Sequence, residues 1–184
     1  MLAPPRRILA GILAAIAAGT AAQVAHAAPA PPTVPAEIAV AEGNKPFLVG
    51  HAVGVQIYTC ATVAGGFAWS SATPRADLYD DRGTVIVKHF GGPSWQAKDG
   101  STVIGRRVRG VTVDTTAIPW LLLESASTIQ GPDGDRLTDT TFIQRIATAG
   151  GLTPAPDECN AATAGTAREI PYTADYVFWK AVSA

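Results

Sequence analysis

Apolar and polar positions along this chain alternate in short runs that turn residues interrupt about every eight to twelve positions. The breaks are Gly43-Asn44, Gly65-Gly66, Asp80-Asp81-Arg82-Gly83, Gly91-Gly92-Pro93, Asp99-Gly100, Gly131-Pro132-Asp133-Gly134 and Gly150-Gly151. The runs between them are too short for ordinary helices, and several carry the period of two that puts successive side chains on opposite faces of a strand. Residues 47–59 place Phe47, Val49, His51, Val53, Val55 and Ile57 on one face, against Gly54, Gln56 and Tyr58 on the other. Residues 77–79 and 84–90 flank the Asp-Arg-Gly turn as a hairpin. Strands are also predicted over 101–108 and 142–148, and over 171–182, where Tyr172, Ala174, Tyr176 and Phe178 share a face. Trp120-Leu121-Leu122-Leu123 is continuously apolar, as in a strand buried on both sides. No sustained period of 3.6 follows residue 27. The pattern predicts an all-β, single-domain antiparallel β-sandwich or barrel of seven or eight strands.

The amino-terminal stretch has a different pattern. Arg6-Arg7 precedes an uncharged run over residues 8–22, and Ala25-His26-Ala27 sets small residues where a signal peptidase reads them. An apolar run of about fifteen residues suits a signal peptide, whereas a membrane span needs about 20. Residues 1–27 are therefore expected to be a cleaved secretory signal peptide, by the general or the twin-arginine route, leaving no stable membrane insertion. Residues 28–36, with four prolines, read as an extended tether, and residues 37–184 as the β-rich domain. Removing 27 of 184 residues leaves 157, enough for one domain with a core. Two arginines leave with the signal, so twelve basic residues face fifteen acidic ones. That mildly acidic balance, without a basic run, argues against nucleic acid as a partner.

Export alters the reading of the cysteines. Cys60 and Cys159 are the only two, and in an oxidising compartment one disulfide is the expectation. The segment 157–169, rich in Ala, Thr and Gly, would be a surface loop pinned by it.

Several ordered words carry a resemblance. They are Gly54-Val55-Gln56-Ile57-Tyr58-Thr59-Cys60, Ala76-Asp77-Leu78-Tyr79-Asp80-Asp81, His89-Phe90-Gly91-Gly92-Pro93-Ser94-Trp95, Ile118-Pro119-Trp120, Ile143-Gln144-Arg145 and Pro171-Tyr172-Thr173-Ala174-Asp175-Tyr176. Together they resemble the secreted bacterial and fungal domain-of-unknown-function family 3455. The resemblance implies a signal peptide, one compact domain and paired cysteines, and it transfers no catalytic residues.

Candidate chemistry is sparse. After signal removal the histidines are His51 and His89, too few for the usual three protein ligands of a catalytic zinc or copper site, so no metal and no cofactor is expected. His51, in line with Val53 and Val55, is expected to point inward. Gly-x-Ser-x-Gly and Gly-x-Gly-x-x-Gly are absent. Asp80-Asp81 reads as a solvated turn, and Gln144-Arg145 with Asp175 as a buried structural pair. Residues 89–101 hold the most functional-looking group: His89, Trp95 and Asp99 in a stretch rich in turn residues, where binding groups concentrate. They are expected to line one accessible depression. The reading is a secreted non-enzymatic β-domain that takes a carbohydrate or another extracellular or envelope ligand there. The alternatives are a structural or interaction protein, with Trp95 in the core, and a hydrolase or metalloenzyme using His89 and Asp99.

Overall fold

A computed structural model describes residues 28–182, so the expected signal peptide lies outside the described residues. The turn residues divide the described chain into nine antiparallel strands: β1 (Asn44–Val63), β2 (Gly66–Trp69), β3 (Thr73–Tyr79), β4 (Val85–Phe90), β5 (Ser94–Ala97), β6 (Thr102–Val111), β7 (Trp120–Ile129), β8 (Thr140–Gly150) and β9 (Ala167–Ala181). β1 is long enough to serve three neighbours: β9 along residues 44–59, β3 over 51–57 and β2 over 60–63. From β3 to β9 each strand pairs with the next, and β9 returns to β1. Eight strands thus close into a barrel, and β2 folds back on the overhanging end of β1. Closure leaves the ring without a free edge. A ring of eight has an interior just wide enough for side chains to fill or for one small ligand.

The all-β reading holds, as a barrel and with more strands than the pattern showed. β2 and β5 are four residues each, and Ser94-Trp95-Gln96-Ala97 looks like loop because turn residues crowd it on both sides. Buried on both faces as expected, β7 sends Leu123 inward and Leu122 outward into a second cluster.

The face of β1 is the reverse of the expectation. Leu48, Gly50, Ala52, Gln56 and Tyr58 point into the barrel, while His51, Val53, Val55 and Ile57 face out, Val53 with 57% of its surface exposed. The physical reason is volume. Trp95, Tyr172, Tyr176 and Phe178 crowd the interior, so the middle of β1, the neighbour of β9, must be thin. A Cβ on Gly50 would stand 2.9 Å from the Leu78 side chain, and one on Gly54 2.4 Å from the Ala76 Cβ. Gly50, Ala52 and Gly54 take the middle of the inner face of β1, and its β-branched residues are left outside.

Part of the outer surface is covered by the chain itself. Residues 34–40, with a 3-10 turn over Ala36–Ile38, lie across β6 to β9, burying Ile38 fully against Leu122, Ile146, Val177 and Trp179. Gln144 donates from Nε2 to the Ile38 carbonyl at 2.7 Å, and its Oε1 accepts from Trp179 Nε1 at 2.9 Å. Burial of Ile38 contributes about 2–3 kcal/mol. Val34, in the proline-rich stretch, packs on the same cluster. The expected Gln144–Arg145–Asp175 pair does not form. Neighbouring residues of a strand face opposite ways, so Gln144 binds Ile38, Arg145 turns inward to the Pro119 carbonyl, and Asp175 holds His51.

Cys60, at the far end of β1, is bonded to Cys159, with 5.3 Å between their Cα atoms. The bond ties the 151–166 segment to one end of the barrel. The same end carries the 91–93 turn and the 112–119 loop. At the other end are the 80–84 and 98–101 turns and the 130–139 loop.

Candidate functional site

The barrel is sealed at one end and concave at the other, and the expected site residues divide between the two. Asp99 belongs to the sealed end. Its Oδ1 accepts from the Ser101 hydroxyl (2.6 Å) and N–H (3.0 Å), and its Oδ2 from the Arg136 N–H (2.8 Å). Ser101 Oγ in turn accepts from the Leu137 N–H at 3.1 Å, and Leu137 is fully buried in the interior cluster. Asp99 therefore anchors the loop that plugs the barrel. Desolvation pushes its carboxyl up, but the bonds from Ser101 and Arg136 prevail and hold it below the usual carboxylate range. A depression of about 510 Å³ beside it is lined by Lys98, Asp133, Asp135 and Arg136, without His89 or Trp95.

His89 and Trp95 are brought together toward the opposite end. They face each other across β4 and β5, with ring centroids 4.4 Å apart and planes within 3° of parallel. Tyr176 sets its ring edgewise to both, at 4.9 and 5.5 Å. Room for the indole comes from Gly105, where a Cβ would lie 2.9 Å from the Trp95 ring. Trp95 is 1% and His89 3% exposed, so neither forms an open surface. The expectation that His89, Trp95 and Asp99 share one accessible depression is corrected: the tight 91–93 and 98–101 turns make β5 a ring strand, Trp95 enters the core, and Asp99 is left at the far end of that strand.

Above the stacked rings lies a cavity of about 310 Å³ to which all eight ring strands contribute. Its deep part is aromatic and aliphatic, formed by His89, Trp95, Tyr176 and Leu123, and its exposed rim includes Ser71, Ala72 and Gly92. The size is at the lower end for small-molecule sites, and barrel mouths are among their usual places. Two residues that line it carry a buried donor with no partner among the described residues: Trp95 at Nε1, and Gln56, itself 2% exposed, at Nε2. Leaving a buried N–H donor unmet costs about 1–3 kcal/mol, and such exceptions cluster where a ligand or water completes the set.

The cavity is also electropositive. Arg145 and Arg107 line it and no Asp or Glu does. The Pro119 carbonyl accepts from Arg145 Nε (3.2 Å) and Nη2 (2.8 Å), using two of five guanidinium donors. His89 donates its Nδ1 proton to the Ser94 carbonyl at 2.9 Å, since a carbonyl can only accept. Burial drives its pKa down to about 4, and the Arg145 charge pushes the same way. Its imidazole is neutral at pH 7.

Sequence reasoning missed Gln56, Arg107, Arg145 and Tyr176 as members of a site. One signal was present: Arg145 shares strand parity with Ile143, so a cation sits on the inward face of β8. Gln56 was concealed by the inverted face of β1.

His51 does not enter the barrel. It lies outside between Asp175 (Nδ1 to Oδ1, 2.7 Å) and Asp81 (Nε2 to Oδ1, 3.0 Å). The hydrogen bond to Asp175, then that to Asp81, raises its pKa. Among the described residues no group of three His, Cys, Asp or Glu side chains is arranged to hold a metal ion.

A family model described as protein of unknown function (DUF3455) matches residues 41–180. No curated protein and no solved structure matches the chain.

Proposed function

The chain belongs to the DUF3455 family, and we propose that it is a non-catalytic binding barrel, exported from the cell, that takes one small molecule into the cavity above His89 and Trp95. The observation that carries this reading is that two residues lining one cavity, Trp95 and Gln56, each hold a buried donor, Nε1 and Nε2, with no partner among the described residues. A core under no other demand would pair them or replace them with apolar atoms. Export is supported by the apolar stretch over residues 8–22 with its Ala-His-Ala end and by the formed disulfide. Among the described residues no helix is long and apolar enough to cross a membrane.

Binding rather than catalysis is favoured by what surrounds the cavity. Hydrolysis through His89 and Asp99 has no geometric support, since the two stand at opposite ends of β5. His89 Nδ1 is engaged by Ser94, and among the described residues neither hydroxyl that lines the cavity bonds His89: Ser71 makes no hydrogen bond to it, and the Tyr176 hydroxyl meets that of Tyr172. A sugar ligand is also less well served than the sequence suggested. Sugars pack on an open aromatic plane, and one face of Trp95 is covered by His89, with Tyr176 and Phe178 against it edgewise.

The test is a fragment and monosaccharide screen on the oxidised mature domain, read in ¹H–¹⁵N spectra. Binders should move the Trp95 indole N–H and the Gln56 amide signals together. Finding no binder, or binders that leave both signals in place, would overturn the reading.

A further inference from the structure

Resting on that reading, we infer that the cavity selects an organic anion: a small carboxylate with an apolar body, its charged end received by Arg145 and by the unpaired N–H groups of Gln56 and Trp95. Three independent features point the same way. Both buried side-chain atoms that lack a partner among the described residues are donors, and neither is an acceptor. No acidic side chain lines the cavity, and of the five ion pairs among the described residues none involves Arg145 or Arg107. A half-buried guanidinium usually has a carboxylate beside it, because removing its charge from water is costly. Arg145 has the Pro119 carbonyl and the Tyr176 hydroxyl as its polar neighbours, both uncharged, and no carboxylate beside it among the described residues.

The remaining wall suits the rest of such a molecule. Leu121, Leu123, Pro74 and the Tyr176 ring offer an apolar lining, against which an aromatic or short aliphatic body loses water contact. Arg107, exposed on β6, adds a second positive charge on the approach and should speed the encounter with anions at low salt. A neutral polyol would leave Arg145 without a counter-charge, and a cation would be repelled. The neutral His89 forms part of the floor.

The experiment compares three probes that share a benzyl body on the oxidised mature domain: phenylacetate, phenylacetamide and phenethylamine, by calorimetry and by the Trp95 and Gln56 N–H signals. Phenylacetate should bind at least tenfold more tightly than the amide, and the amine should not bind. Arg145→Gln should weaken phenylacetate at least tenfold and erase its advantage over the amide. Gln56→Glu, which places a carboxylate in the cavity and leaves Arg145 intact, should abolish phenylacetate binding and admit phenethylamine, so the inference stays testable if Arg145→Gln does not fold. Equal or tighter binding of the amide, with the same two signals moving, overturns the anion and leaves the binding site standing. If none of the three probes moves those signals at millimolar concentration, both readings fall.

Discussion

Acid should loosen the barrel through His89 well before its carboxylates are protonated. In the folded protein this imidazole is sealed between Trp95 and Tyr176, and burial drops its pKa from 6.5 to about 4. Once unfolded, the same group takes up a proton near 6.5. Below that pH the unfolded chain binds more protons, so stability falls as pH falls and levels off below about 4. At roughly 1.4 kcal/mol per pH unit the full effect is about 3 kcal/mol, of which about 2.5 kcal/mol acts between pH 7.5 and 4.5. The assay is urea unfolding of the oxidised mature domain at half-unit steps across that range, for wild type and His89→Asn, whose amide can still donate to the Ser94 carbonyl. The variant should be weaker at pH 7.5, having lost the ring stack, yet its stability should decline less toward pH 4.5 by about 2.5 kcal/mol. His51 is present in both proteins, so its opposing contribution cancels. Parallel curves for the two proteins would refute the reasoning.

His51 should act in the opposite sense. Its pKa is raised by Asp175 and Asp81, so its stabilisation is fully present below about 6.5 and is lost as pH rises through the higher folded value. With 44% of the His51 side chain and 96% of that of Asp81 exposed, the effect should be under about 1 kcal/mol, and Asp175→Asn should remove most of it in unfolding curves from pH 6 to 8.5. Reduction of Cys60–Cys159, which closes a 99-residue separation, should lower stability by about 2–5 kcal/mol, measured by urea unfolding with and without a phosphine reductant. Gly54→Ala should destabilise by at least about 1–3 kcal/mol, because the new methyl would meet the Arg75 carbonyl at 2.2 Å; a thermal midpoint equal to wild type would contradict the thin-strand account of β1. Ile38→Ala should cost about 2–5 kcal/mol in the same measurement, showing that residues 34–40 are part of the folded unit.

What this sequence determined by itself is local. Gly-rich and Asp-Gly turns place the chain reversals, because few other residues adopt those backbone angles, and their spacing excludes a helical bundle. Period-two alternation put Tyr172, Ala174, Tyr176 and Phe178 on one face of β9, and that face proves to be the inner one. Two lone cysteines were enough to anticipate their bond. Tertiary structure decided everything that depends on which surfaces share a volume. Both faces of β1 are partly apolar, and only the crowding of Trp95, Tyr176 and Phe178 inside a ring of eight strands forces its glycines and alanines inward and sends His51 to Asp175. Trp95 and Asp99, four residues apart, part company because β5 runs from one end of the barrel to the other. Arg145 and Gln56 become neighbours of one cavity although they lie on β8 and β1, since closure through β9 brings distant strands around a common interior. Hydrophobic pattern is a property of each strand alone, whereas a lumen is a property of the closed ring, and the candidate site exists only in the lumen.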